Sequence, residues 1–317
     1  MEMLQVLEPG AFTTVQDLGR FGFQQFGIPV SGSLDKSSHR IANMLAGNPE
    51  SAAVLEITYI GPKLLVMSEG LIAVTGADMA VLVNEQRQPA WRSFSVKPGD
   101  VLSFKAARQG LRVYLAVSGG IQVPVVMGSR STYSGGKIGG IQGRALLKGD
   151  IICRGESELT RASVILPQAF RPTFSTKIAL RAVPGPQDDH FDLGTEIFFG
   201  SEFTVTSEAD RMGYRLAGPV IPFVEGVIKS IISEASMPGV VQVPPDGQPI
   251  ILLGEQTIGG YAKIATVITP DLDLVAQARP GHQISFARVD IVQAHSAYFQ
   301  YVQRLEHVKG ILNAQMI

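Results

Sequence analysis

The chain has a single cysteine, Cys153, in 317 residues. No intramolecular disulfide can form, and stability has to come from a packed core. The run Ile151-Ile152-Cys153 reads as a buried strand with the thiol in that core. An excess of charge of either sign is also missing: 27 Lys and Arg face 28 Asp and Glu, for a net charge of -1. A surface that holds a nucleic-acid backbone or an anionic membrane by charge is thereby excluded. No apolar run approaches the roughly 20 residues that span a bilayer. Met1-Glu2-Met3-Leu4-Gln5 has neither the basic nor the apolar region of a secretory leader. The expectation is a cytoplasmic protein whose partners are proteins and small molecules.

Several catalytic signatures are absent too. There is no Gly-x-Ser-x-Gly elbow, which argues against a serine hydrolase. The five histidines are dispersed and form no His-x-x-x-His or Cys/His cluster, so no metal site is expected. Asp188-Asp189-His190-Phe191-Asp192 is the best metal candidate, but a solvated turn after Pro184-Gly185-Pro186 is the preferred reading. Gly128 to Lys137 looks like a phosphate loop at a glance. It has Ser131 where a P-loop needs glycine and Ile138 where it needs Ser or Thr. Its glycine amides, with Arg130 and Lys137, remain candidates for a backbone nest around an anion; a plain loop is the alternative.

What the chain has is 45% hydrophobic residues, 34 glycines and 19 prolines. Turn signals recur between short β-branched runs, the pattern of a mainly β protein. Strands are expected at Leu64-Val66, Leu71-Thr75, Ala80-Val83, Val101-Phe104, Arg112-Val117, Ile178-Arg181, Phe203-Val205, Ile250-Leu253, Ala265-Ile268 and Gln283-Phe286. Helical spacing is confined to Ser33-Leu45, capped by Ser33 or Asp35, and to Ile291-Val308. The length favours two domains, divided near Pro167 to Pro172: residues 1–168 and 169–317. Landmarks recur in order. Asp17 and Gly19 match Asp210 and Gly213; Glu56 before Gly61-Pro62 matches Gln242 before Gly247-Gln248-Pro249; Pro98-Gly99 matches Pro280-Gly281. Two copies of one β-rich domain explain this most simply.

The two Asp-Gly-Arg loops, at Asp17-Leu18-Gly19-Arg20 and Asp210-Arg211-Met212-Gly213-Tyr214-Arg215, present charged side chains from strand ends, and two such loops suggest polar groups facing one site. Arg20, Arg130, Arg211 and Arg215 suit carboxylate or phosphate recognition, with structural ion pairs to Asp17, Asp35 or Asp210 as the alternative. Gln256-Thr257-Ile258-Gly259-Gly260-Tyr261 places amide and hydroxyl groups where an amide-bearing substrate could meet them, or forms a plain hairpin turn.

Together with Ser31-Gly32-Ser33-Leu34-Asp35, Ala42 to Asn48, Leu55-Glu56-Ile57-Thr58, Gly128 to Thr132, Gly185-Pro186 and Val241-Gln242-Val243-Pro244, these segments resemble the allophanate hydrolase subunit 2 group, also called the biotin-dependent carboxyltransferase family. The likeness runs in family order from residue 9 to about residue 290, with Ile258 standing where a second Thr is usual and Ser33 where Ala is common. It implies two cyclophilin-like β-barrel domains with a few short helices. It also implies one component of an ATP-dependent 5-oxoprolinase, which opens 5-oxo-L-proline to L-glutamate. The implied partners are a KipI-like protein of the allophanate hydrolase subunit 1 type and a LamB/YcsF-like third component, with ATP bound somewhere in the complex. The resemblance also covers a carboxyltransferase component of a urea carboxylase, with biotin supplied by a partner, and a regulatory component of a KipI-KipA-like complex. Asp17, Arg20, Asp35 and Glu56 are the expected catalytic residues. Arg130, Arg211, Tyr214, Arg215, Gln242, Gln256, Thr257 and Tyr261 are the expected substrate-binding residues.

Overall fold

The computed structural model describes residues 1–157 and 163–315. It divides into two compact units, one of Met1–Phe21, Ser31–Phe174 and the stretch from Arg304, the other of Gly22–Val30 and Ser175–Gln303.

In the first unit the elements are β1 (Glu2–Glu8), β2 (Phe12–Gln16), α1 (Lys36–Leu45), β3 (Val54–Thr58), β4 (Lys63–Val66), β5 (Gly70–Asp78), β6 (Val81–Val83), β7 (Gln86–Gln88), β8 (Arg92–Val96), β9 (Val101–Phe104), β10 (Gln109–Val117), β11 (Ile121–Gln122) and β12 (Ile151–Arg154). They form a seven-stranded sheet, β11-β12-β1-β4-β9-β6-β7, and a five-stranded sheet, β2-β3-β10-β5-β8. The five-stranded sheet is two-faced. Val15, Leu55, Leu115 and Val74 stand in one cross-strand row and join the apolar core with Leu4, Leu64 and Leu102. One residue further along each strand, Thr14, Glu56, Tyr114 and Thr75 form a parallel row on the opposite face. Period-two alternation thus places an apolar core on one side and a buried polar layer on the other. Helix α1 lies over this second face, against β5 and β10, and buries Ile41, Ala42 and Leu45 at helical spacing.

The second unit contains β13 (Lys177–Pro184), α2 (Leu193–Gly200), β14 (Glu202–Ala209), β15 (Gly213–Ala217), β16 (Glu234–Ala235), β17 (Val240–Val243), β18 (Ile250–Leu252), β19 (Ile258–Gly259), β20 (Ala262–Val267), α3 (Leu272–Gln277), β21 (Gln283–Arg288) and the start of α4 (Ile291–Ala314). Seven strands close a barrel, β13-β20-β17-β18-β15-β14-β21, while β16 and β19 pair with each other. Helix α2 contributes Phe198, whose ring stacks on Phe286 at 4.2 Å inside this core.

The mainly β expectation holds, and every anticipated strand and both anticipated helices fall on elements of that type. Two readings are corrected. Cys153 lies in a strand, but it is half-buried, and its neighbour Ile152 fills the core; alternation decides which of two adjacent residues points inward. The landmark strands also differ in their neighbours: β4 and β9 pair directly, whereas β18 and β21 are separated in the barrel by β15 and β14. Gly and Pro mark turns at similar spacings in both halves without fixing strand order.

Candidate functional site

In the first unit, Asp17 leaves the end of β2 and is met by a loop more than a hundred residues later. Its carboxylate accepts hydrogen bonds from Gly19 N at 2.9 Å, Ser129 Oγ at 2.6 Å, Ser131 Oγ at 2.5 Å and Arg130 N at 2.6 Å. Burial alone would push this carboxyl up, but the two serine hydroxyls and the two backbone amides together hold it below the ordinary carboxylate range. The Gly128 to Lys137 loop thus meets this chain's own Asp17, through one backbone amide and two serine hydroxyls rather than through its glycine amides.

Arg20 is fully buried. Its Nε donates to Val126 O at 3.0 Å and its Nη2 to Ser131 O at 2.8 Å, whereas Nη1 has no partner. Burial lowers its pKa. Arg130 reaches Gln122 Oε1 through Nη2 at 2.9 Å. Neither guanidinium forms the ion pair with Asp17 that the sequence allowed; Asp17 takes the backbone N–H of Arg130 instead.

Asp35 caps α1, accepting from Ser38 N at 2.9 Å and Ser38 Oγ at 2.7 Å. The chain reaches this cap through Gly32, whose φ is +80° and where a Cβ would lie 2.8 Å from Gly19 N; only glycine allows the two loops to meet so closely. Glu56 is buried below the cap. Its Oε2 accepts from Leu34 N at 2.9 Å and Tyr114 Oη at 2.9 Å, and its Oε1 lies 3.8 Å from Arg112 Nε. Tyr114 Oη in turn accepts from Asp35 N at 2.8 Å, and burial raises the pKa of this phenol well above its usual value.

Beside them His39 Nδ1 lies 2.7 Å from Ser33 Oγ, and Nε2 lies 3.2 Å from Asn43 Nδ2. The Asn43 amide is oriented by donation to Ala52 O and acceptance from Asn48 Nδ2. The ring is held on both sides, by Ser33 at Nδ1 and by Asn43 at Nε2, and the backbone carbonyl of Glu50 lies within its hydrogen-bond reach. Burial pushes His39 down to about 4, against the pull of Asp17 and Glu56.

Asp17, Asp35 and Glu56 are thus brought to one polar layer, buried or nearly so and engaged by donors from their own chain. They tie together the β2 end, the 128–132 loop and the start of α1. Such a layer anchors and orients the loops that meet in it. His39, Tyr114, Gln16, Ser129, Ser131 and Arg112 belong to it and were not anticipated, although polar residues alternating through the apolar strands Thr13-Thr14-Val15-Gln16 and Leu55-Glu56-Ile57 are a readable signal for a wet inner face.

In the second unit, Asp210 closes a tight turn by accepting from Met212 N at 2.7 Å and Gly213 N at 3.2 Å. Arg211 Nε donates to Glu255 Oε1 at 2.5 Å in a buried ion pair. Arg215 is half-exposed, between Glu208 at 3.0 Å and Asp246 at 3.2 Å. Tyr214 departs from its expected role: it is fully buried in the barrel, with Oη 3.3 Å from Ala278 O, because β15 turns alternate residues inward and Arg215 takes the outer position. Arg215, Ile250, Gln242 and Lys263 share that outer row. Gln256 Nε2 folds back on Ile258 O at 2.5 Å. Thr257 is half-buried, and Tyr261 is exposed. Lys263 Nζ donates to Glu234 Oε1 at 2.6 Å and holds that carboxyl below its ordinary value. Lys263, Glu234 and Ser236 gave no signal in the sequence. Among the described residues, no cluster of three metal-binding side chains occurs, and Asp188–His190 forms a short 3-10 turn. Among the described residues no helix is long and apolar enough to cross a membrane.

The chain matches a family model described as carboxyltransferase domain, subdomain A and B, over residues 26–288. It is 39% identical over 298 residues to the C subunit of 5-oxoprolinase from Escherichia coli, covering 93% of this chain and 94% of that protein. It is 36% identical to the C subunit of 5-oxoprolinase from Haemophilus influenzae, covering 97% of this chain and 100% of that protein. The urea carboxylase of Kluyveromyces lactis superposes on 98% of this chain with a TM-score of 0.91 and 32% identity, although the match spans only 29% of that protein. These relatives are parts of enzymes or enzyme complexes. The chain belongs to the carboxyltransferase domain, subdomain A and B, family.

Proposed function

We propose that this chain is one subunit of an ATP-dependent 5-oxoprolinase and helps open the lactam of 5-oxo-L-proline to L-glutamate. The supporting observation is likeness over 94% and 100% of two proteins named as the C subunit of a 5-oxoprolinase, against 29% of the urea carboxylase. The partners in this reading are a KipI-like protein of the allophanate hydrolase subunit 1 type and a LamB/YcsF-like protein. The polar layer of the first unit agrees with work shared among several chains, since its carboxylates are engaged by their own chain and position loops. Asp17, Asp35 and Glu56 act here as positioning residues, and Arg215, Gln242, Gln256, Thr257 and Tyr261 remain the residues that contact substrate. In this reading ATP is bound in the complex, and the Arg130 N–H and the Ser129 and Ser131 hydroxyls of the Gly128 to Lys137 loop are engaged by Asp17.

The test is reconstitution. The three proteins are mixed with ATP and 5-oxo-L-proline, and glutamate release is measured with and without this chain. Release that requires all three supports the reading. Turnover of urea with a carboxybiotin-loaded carrier, and none of 5-oxoproline, replaces it with the carboxyltransferase alternative. Binding of the partners with no effect on either reaction leaves a regulatory role.

A further inference from the structure

A cavity of about 460 Å³ lies in the first unit, between the end of β5, the β7–β8 turn and residues 168–174. Its size falls within the range of small-molecule sites, roughly 300–1,000 Å³. None of its lining residues belongs to the polar layer or to the residues assigned to substrate contact.

One wall is Trp91, the single tryptophan of the chain. It is 7% exposed and has a φ of +61°, in the left-handed region that a bulky residue enters only under constraint. The constraint is backbone bonding on both sides: Trp91 N donates to Val74 O at 2.7 Å, and Trp91 O accepts from Leu166 N at 2.9 Å. Phe174 and Met79 add apolar lining. Gly76 also lines the cavity; it stands inside β5 with a φ of +95°, where a Cβ would collide with Arg112 O. The register of β5 against β10 shifts there, between Gln109 and Val113. Bulges of this kind recur beside binding sites, where they re-aim neighbouring side chains.

The charges of the lining are unequal. Asp78 is answered by Arg108 at 3.4 Å. Arg87 and Arg171 line the same cavity, and neither has a carboxylate partner among the described residues. Arg171 is half-buried and donates through Nε and Nη2 to Leu166 O, at 3.0 and 2.9 Å. That one carbonyl fixes the side chain and leaves the Nη1 side of the fork unengaged among the described residues. Burial lowers the Arg171 pKa, with no opposing charge to hold it up. Leu166 thus ties both parts together: its N–H holds Trp91, and its carbonyl holds Arg171. A fixed aromatic wall beside a desolvated guanidinium suits a planar ring that bears a carboxylate, since the ring packs on the indole and the fork takes the carboxylate. Arg87 and Arg171 against Asp78 leave one positive charge in excess, which matches a carboxylate better than a phosphate dianion.

We propose that this cavity binds a small aromatic carboxylate, with Trp91 as the stacking wall and Arg171, helped by Arg87, as the anchor of the carboxylate. The site does not rest on the function proposed above, and each can fail alone.

Because Trp91 is the only tryptophan, its fluorescence in the purified full chain reads this cavity directly. The probes are benzoate, benzamide, acetate and 5-oxo-L-proline. Benzoate is expected to change the emission saturably. Benzamide, with the ring and no charge, should bind about tenfold more weakly. Acetate, with the charge and no ring, and 5-oxo-L-proline, with no aromatic ring, should not displace benzoate. Arg171→Gln is expected to weaken benzoate about tenfold and Arg87→Gln about threefold, both without changing benzamide affinity. Melting temperatures check that the variants fold; Arg87 is exposed, so Arg87→Gln carries the test if Arg171→Gln unfolds. No saturable response to benzoate, equal binding of benzamide, displacement by acetate or 5-oxo-L-proline, or indifference to every folded variant overturns the site. Glutamate release by the reconstituted complex stands or falls separately, since none of these outcomes bears on it.

Discussion

At Asp17 four donors converge on one carboxylate, two from backbone amides and two from serine hydroxyls. Removing the acceptor strands all four, so Asp17→Ala is expected to cost about 3 kcal/mol in urea unfolding. Because its folded pKa lies below the ordinary value, its contribution is fully present at neutral pH and is lost only as pH falls through that folded value. His39 acts in a different window. Its ordinary value is 6.5, and the folded one is about 4, so between these limits the unfolded chain binds the proton and the folded chain does not. Stability is therefore expected to decline from pH 6.5 towards 4 and to level off below, by about 3 kcal/mol in all. Urea midpoints measured across this range should flatten in His39→Gln. A slope unchanged by that substitution would assign the decline to other groups.

Among the elements, α1 shows how a short sequence signal becomes a constraint on the site. Asp35 at its N-cap was readable from the residue type ahead of an apolar spacing, and Asp35→Ala is expected to cost about 1 kcal/mol in thermal or urea unfolding. Ser38→Ala should cost less, since the backbone N–H of residue 38 keeps its bond to Asp35. The strands that turn signals and β-branched runs picked out were those with a simple apolar pattern. β2 and β3, which carry the polar layer, were not anticipated. Thr14-Val15-Gln16 and Leu55-Glu56-Ile57 alternate, but both faces are buried, Val15 and Leu55 in the apolar core and Thr14, Gln16 and Glu56 in the polar layer, so the alternation does not mark a solvent face. Helix α2 was missed for a related reason: Leu193-Gly194-Thr195-Glu196-Ile197-Phe198-Phe199-Gly200 is too apolar and too short to show a face, because it packs into a barrel. The Asp17 loop was legible as a charged turn, but three of its four donors lie more than a hundred residues away, and no local pattern pairs them. Ser236 and Lys263 became visible only once β16, β17 and β20 were in register.

For the molecule as a whole, near-balance of charge has a physical consequence. A net charge of -1 and a sequence isoelectric point near 6.5 leave little repulsion between copies at that pH. Apolar side chains stand in solvent as well: Ile232 is 93% exposed, Val292 72% and Phe299 66%. Where repulsion is weakest, such groups govern self-association. The isolated chain is expected to be least soluble near pH 6.5 and to gain solubility towards pH 8.5. Ile232→Asp combined with Phe299→Asp removes two apolar contacts and lowers the charge by two, so the variant should remain dispersed at pH 6.5 in light scattering at a concentration where the native chain scatters strongly. A charge-matched control with Gln-to-Glu substitutions at Gln86 and Gln300, both exposed, separates the two causes. If the control disperses as well as the apolar variant, charge alone sets the solubility. If only the variant disperses, the exposed side chains are the cause.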